Sequence, residues 1–240
     1  MVTGASGHLG SYIIRRALEK GHRVVAVARN KSSLNKVSAE NKKIFEKYSE
    51  KLCILENDLE RIDLLNELVK RSLECYGSID TLINSAAAWD NTDPFKLSYD
   101  KWIKILTINL IVPYTLSLEV SRYMSEKDVI INISCLSSTR GHKVYGILRP
   151  SPAYVASKTA LNTITKYLAD LLAPKGIIVI GVAPSWIEKP EIHKYRDYIT
   201  RNVPLKRAAE PLEVADLIIS LAEERIQYLS GSIIEIPGAL

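Results

Sequence analysis

The chain begins Met1-Val2-Thr3-Gly4-Ala5-Ser6-Gly7-His8-Leu9-Gly10, and the reading of this stretch decides the fold. Met1-Val2-Thr3 is a strand stub, and a helix through Leu9–Lys20 ends at Gly21, a natural C-cap. Glycines between a strand and a helix let the backbone turn tightly and approach a pyrophosphate, whose charge meets the helix N-terminus. Glycines also make ordinary turns, so the pattern alone is weak. The strand before it and the helix after it point to a dinucleotide. Gly4, Ser6, Gly7, His8, Leu9 and Gly10 are the candidate contacts.

Outward from the turn, strand and helix patterns alternate. Strands are read at Arg23–Ala28, Leu52–Leu55, Asp80–Asn84, Val129–Ser134, Ile177–Val182 and Ser232–Ile236. Helices are read at Ser32–Tyr48, Asp63–Tyr76, Trp102–Met124 (bent or bounded near Pro113), Ala153–Leu172 and Pro211–Glu223. Near-continuous apolar strands alternating with helices imply a parallel sheet covered on both faces. The expected fold is α/β: one doubly wound domain over residues 1–240, with a seven-stranded parallel sheet.

Composition removes other classes. With 47% hydrophobic and 25% charged residues, the 240-residue chain is neither disordered nor in need of a staple to build a core. The formal charge of +5 is dispersed, as in Lys42-Lys43-Ile44-Phe45-Glu46-Lys47, which reads as a solvated surface and not as a nucleic-acid footprint. Cys53, Cys75 and Cys135 form no CxxC pair, and His8, His22, His142 and His193 lie far apart. The expectation is a reduced cytoplasmic protein without a metal site. No apolar run long enough to span a bilayer is read, and no signal peptide precedes the first motif. The abundance of Lys, Glu and Ile also fits a heat-loving source.

Two further features carry chemistry. An NAD site normally places a carboxylate at the end of the second strand, but this chain has Ala28-Arg29-Asn30 there. A guanidinium grips a 2′-phosphate through its planar fork, so NADP(H) is expected over NAD(H). Tyr154-Val155-Ala156-Ser157-Lys158 puts a phenol and an ammonium on one helix face. The cation favours the phenolate and moves the tyrosine toward acid/base work.

Together with Asp58-Leu59, Asn84-Ser85-Ala86-Ala87, Asn109, Val182-Ala183-Pro184-Ser185-Trp186-Ile187 and Leu229-Ser230-Gly231, these motifs resemble the short-chain dehydrogenase/reductase family over essentially the whole chain. The resemblance implies a Rossmann-like fold and hydride transfer between NADP(H) and a carbonyl or alcohol, with no metal. By the same resemblance Tyr154 is the general acid/base, Lys158 holds the nicotinamide ribose and lowers the Tyr154 pKa, and Asn109 holds a relay water. Asp58 and Leu59 would border the adenine, Asn84, Ser85 and Ala86 the adenosine ribose, and Pro184, Ser185 and Ile187 the nicotinamide. Homo-oligomers, dimers or tetramers, built on the two long helices are implied as well.

The chain departs from the family pattern in five places. His8 holds the turn's middle glycine place, and Ala87 and Ser185 also replace glycines. Only Met1 and Val2 precede the turn, so the first strand is short or starts upstream. Cys135 holds the catalytic serine's place, leaving Ser137 or Ser138, Ser134 and Cys135 itself as candidates, with Ser137 put forward.

The segments 135–152 and 188–204 should border the substrate, the second as an open site or a modest lid. They hold Arg140, His142, Lys143, Tyr145 and Arg149, then Lys189, His193, Lys194, Arg196 and Arg201. A 3-oxoacyl thioester or a small ketone fits. The rival reading is a non-catalytic NADP-binding sensor or interaction protein.

Overall fold

Strands β1 (Val2–Thr3), β2 (Val24–Ala28), β3 (Leu52–Glu56), β4 (Thr81–Asn84), β5 (Val129–Ile133), β6 (Ile178–Pro184) and β7 (Ile233–Ile236) form one sheet in the order β3-β2-β1-β4-β5-β6-β7. All pairs are parallel. The computed structural model describes residues 1–141 and 149–240. β2, β5 and β6 are buried along their whole length, as strands covered on both faces must be. The architecture is Rossmann-like α/β.

Helices α1 (His8–Glu19), α2 (Ala39–Lys47) and α9 (Pro211–Glu224) cover one face, burying Ile13, Ile14, Leu18, Val214 and Ile218 against β2, β5 and β6. Helices α3 (Leu65–Tyr76), α5 (Val112–Ser121) and α7 (Pro152–Leu172) cover the other, burying Leu65, Leu68, Leu116 and Leu168. A third cluster, with Trp186, Ile192, Ile199 and Val203, roofs the C-terminal ends of β5 and β6.

Local differences from the sequence reading have local causes. The helix read at Ser32–Tyr48 is a 3-10 turn (Lys31–Lys36) followed by α2, because two side chains cap two separate starts. Asn30 Oδ1 accepts from the Ser33 N–H at 2.8 Å and Ser38 Oγ from the Asn41 N–H at 3.3 Å. The segment 188–204, for which no element was read, holds a 3-10 turn (Pro190–Tyr195) leading into α8 (Arg196–Asn202).

The long helix runs from α4 (Tyr99–Leu106) through a π-helical turn (Thr107–Ile111) into α5. Pro113 cannot donate a backbone hydrogen bond, and the widened turn just before it absorbs the defect. By length and composition Tyr99–Ser121 could cross a membrane, contrary to the sequence reading. Its apolarity serves the core here, since Ile105, Ile108, Val112, Leu116 and Val120 are buried.

The expected set of three reduced thiols is also corrected. Cys53 on β3 and Cys75 on α3 form a disulfide across 22 residues, while Cys135 is buried elsewhere. Spacing did not betray the bond, because the fold brings strand and crossover helix together.

β1 is short, yet it pairs on both sides: Val2 with Ala26 and Ile83, Thr3 with Val27. The Met1 amino group donates to the Thr81 carbonyl at 2.7 Å, and burial pushes its pKa down to about 5. Ala87 and Ser185 keep negative φ, so neither needs the glycine that the family pattern would place there.

Closing a loop of this length with a disulfide is worth about 3 kcal/mol. Calorimetry with and without reductant should therefore show Tm falling by roughly 6–12 °C on reduction or in Cys75→Ser. An unchanged Tm would mean that the bond constrains nothing in the unfolded chain.

Candidate functional site

The strand order reverses between β1 and β4, and the crevice at their C-terminal ends is where open α/β sheets bind ligands. Gly4 (φ +72°) lines it so closely that a Cβ would lie 2.8 Å from Ala86 Cα and N. A Cβ on Gly10 would lie 2.2 Å from the Gly4 carbonyl oxygen. Thr3 Oγ1 fixes the two walls by accepting from the Ser85 and Ala86 N–H groups at 3.1 and 3.2 Å. α1 starts behind Gly7 with no side-chain cap, leaving its first turn to an anion. A glycine cradle facing an uncapped helix start fits a dinucleotide diphosphate.

Beside the turn lies a cavity of about 350 Å³. Its walls include His8, Leu9, Ser85, Trp89, Ser134, Cys135, Tyr154, Lys158, Pro184, Ser185 and Ile187. Most of the predicted nicotinamide-side residues therefore meet in one place. Arg29 and Asp58 are exposed at the ends of β2 and β3. Arg29 is 4.0 Å from Glu60, which Lys104 already binds at 2.6 Å. The Ser32 hydroxyl, missed in the sequence, lies three residues further on and donates to Asn30 Oδ1 at 2.8 Å.

Three expected contacts are turned elsewhere. Asn84 is buried, and its amide donates to Asn132 Oδ1 at 2.9 Å and Ser117 Oγ at 3.3 Å, so it pins β4 to β5 and α5 instead of facing a ribose. Leu59 is buried in the core beneath α3. Arg140 pairs with Glu235 at 2.5 Å and with the Leu240 carbonyl, away from the cavity. His142, Lys143 and Tyr145 lie outside the described residues. Lys189 and Lys194 do reach the cavity wall, whereas His193 binds the Glu188 carboxylate at 2.7 Å.

Tyr154 is held against Trp89, the rings edge-to-face at 4.6 Å. Lys158 points its ammonium at the Ile133 carbonyl, 2.7 Å away. The side chain of Asn109, in the π-turn, clamps Ala88: it accepts from the Ala88 N–H at 2.7 Å and donates to the Ala88 carbonyl at 3.1 Å and to Ser157 Oγ at 3.0 Å. Burial, then Cys135, push the Tyr154 phenol well above its ordinary value. Burial pulls Lys158 down to about 8, with Cys135 opposing. The net effect on Tyr154 is upward, opposite to the lowering expected from Lys158.

Cys135 shares the cavity wall with Tyr154 and favours its protonated phenol. Ser137 lies behind it, with Oγ 3.3 Å from Cys135 Sγ, and does not line the cavity. Ser138 is tied up with the Cys135 carbonyl at 2.5 Å and Asn162 at 2.8 Å. Cys135, not Ser137, is the neighbour of Tyr154. The sequence reading also missed Ile192 and Tyr195 as cavity walls. Their spacing with Ile199 was the available signal: three, then four residues apart is one helical face.

Residues 4–238 match the family model described as Enoyl-(Acyl carrier protein) reductase. Curated relatives include an acetoacetyl-CoA reductase of Acinetobacter sp., 26% identical over all of this chain and 96% of its own length. Another is the 3-oxoacyl-acyl-carrier-protein reductase FabG of Thermotoga maritima, 28% identical over all of this chain and 96% of its length. Among solved structures, BdcA in complex with NADPH superposes with a TM-score of 0.86 at 26% identity, covering 100% of this chain and 92% of that one. The TT0495 protein of Thermus thermophilus gives 0.84 at 28%, covering 99% and 95%. With its glycine turn, its Tyr-x-x-x-Lys helix and this match across nearly its whole length, the chain belongs to the short-chain dehydrogenase/reductase family of oxidoreductases.

Proposed function

We propose that the chain is a cytoplasmic, single-domain NADP(H)-dependent reductase of carbonyl compounds, with 3-oxoacyl thioesters or small ketones as substrates. The observation that carries this reading is the meeting of the Tyr154 phenol, the Cys135 thiol and the Lys158 ammonium at one cavity wall beside the glycine turn. When bound, the cofactor supplies the hydride. The glycine turn and the start of α1 would hold its diphosphate, and Arg29 with Ser32 its 2′-phosphate. Lys158 would hold its nicotinamide ribose.

The protonation state of Tyr154 favours reduction. A phenol held above its ordinary pKa keeps its proton until a substrate oxygen becomes basic enough to take it. The O–H proton passes to the carbonyl oxygen as that oxygen gains charge. The phenolate left behind shares the cavity wall with the Lys158 ammonium, which is mostly charged at neutral pH. Asn109 fixes the Ala88 backbone and braces Ser157 on α7, one residue before Lys158. Lys189 and Lys194 at the wall suit an anionic or carrier-linked substrate, as do the names of the acetoacetyl-CoA and 3-oxoacyl relatives. Exposed Ile103, Ile111, Tyr167 and Leu171 on the long helices support a homo-oligomer.

The rival reading, a protein that binds NADP(H) without turning over, draws on the thiol in the serine's place, since S–H is a weak donor. Three measurements test these readings. Tyr154→Phe should reduce carbonyl turnover at least ~100-fold with NADPH affinity kept, and full activity in this variant would sink the mechanism. Fluorescence titration should favour NADPH over NADH, with Arg29→Ala weakening NADPH roughly tenfold and leaving NADH alone; equal losses for both would remove Arg29 from the phosphate site. Cys135→Ser, by supplying a stronger donor, should raise kcat/KM about three- to tenfold. No turnover by the wild type on any carbonyl panel, despite NADPH binding, decides for the rival.

A further inference from the structure

His8 stands at the first position of α1, and its ring leaves the glycine turn altogether. Its Nε2 lies 2.7 Å from the Glu188 carbonyl oxygen, and the ring packs edge-to-face on Tyr12 with centroids 5.4 Å apart. Burial pushes the imidazole below its ordinary range, against the raising effect of the Glu188 carbonyl. The ring is therefore uncharged at neutral pH, and Nε2 carries the proton that the carbonyl accepts.

Glu188 is the pivot of the segment that walls the cavity opposite the turn. Its N–H donates to the Ala209 carbonyl at 2.9 Å, and its carboxylate takes His193 Nε2 at 2.7 Å. These two bonds hold the segment to its own side of the cleft. The His8 bond crosses the cleft, joining the segment to the turn where the diphosphate would sit. Ser185, Ile187, Lys189, Ile192 and Tyr195 of the segment line the cavity beside Tyr154.

We propose that His8 is a positioning residue that latches the 185–195 segment across the dinucleotide groove, so that the nicotinamide half of the cofactor meets a wall already in place. The adenine half, held near Arg29 at the far end of the turn, is gripped independently of the latch. This presupposes the NADP(H) reading above. Losing one hydrogen bond of this kind is worth about a five- to tenfold change in binding.

The test compares two ligands on the full-length chain: NADPH, and adenosine 2′,5′-bisphosphate, which lacks the nicotinamide half. In His8→Phe, which keeps a ring on Tyr12 but has no donor, NADPH should bind about five- to tenfold more weakly through faster dissociation. The bisphosphate should stay within about twofold of wild type, which also reports that the fold and the turn are intact. His8→Gln carries an amide that can donate to the same carbonyl, and should restore NADPH affinity to within about twofold. Equal losses of both ligands in His8→Phe overturn the latch, because the ring would then merely support the turn. Unchanged NADPH binding in His8→Phe, or no rescue by His8→Gln, overturns it as well. Wild-type protein that binds neither ligand overturns the cofactor reading and the latch together; wild-type binding of both with an indifferent His8→Phe overturns the latch alone.

Discussion

The contact between Gly4 and the backbone of Ala86 sets the dimensions of the site. Neighbouring strands whose crossovers leave toward opposite faces must part at their ends, and the width of that parting decides what enters it. Here the two walls touch at the base, and Thr3 Oγ1 closes the joint by accepting from both N–H groups of the opposite wall. Any side chain at position 4 would have to push β4 aside. The glycine is required by φ and by space at once.

From that joint the polar groups of the site divide by depth. At the rim, Arg29 and Asp58 are exposed and free to reorganise around a ligand. At the base, Tyr154 and Lys158 are almost dry, and desolvation governs both. An ammonium at the end of a buried lysine needs an acceptor, and the carbonyl of Ile133 provides it. The same depth makes the choice between sulfur and oxygen at position 135 consequential, because Cys135 and Tyr154 are both buried.

Much of this was legible in the sequence because the information was local. A glycine turn between strand and helix, a Tyr-x-x-x-Lys on one helix face, and alternating strand and helix patterns each report on neighbours within a turn or two. The errors fell where distant segments meet. Asn84 was read as a ribose contact by family resemblance, but its amide is spent on Asn132 and Ser117, 48 and 33 residues away. Cys53 and Cys75 were read as thiols because nothing in their spacing tells that β3 and α3 bring them together. Ser137 was preferred to Cys135 on chemical aptitude, whereas it opens the short helix α6 (Ser137–Arg140) behind Cys135, and of the two only Cys135 lines the cavity. Arg140, counted among the substrate cations, is consumed by Glu235 near the end of the chain.

The two-residue β1 lies in the middle of the sheet, between β2 and β4. It precedes its second neighbour, Ile83, by 81 residues. During synthesis the glycine turn therefore cannot acquire its opposite wall until β4 has been made. Contacts between segments this far apart in the chain are slow to close. A crevice whose glycine wall follows β1 is completed only after the fourth strand arrives.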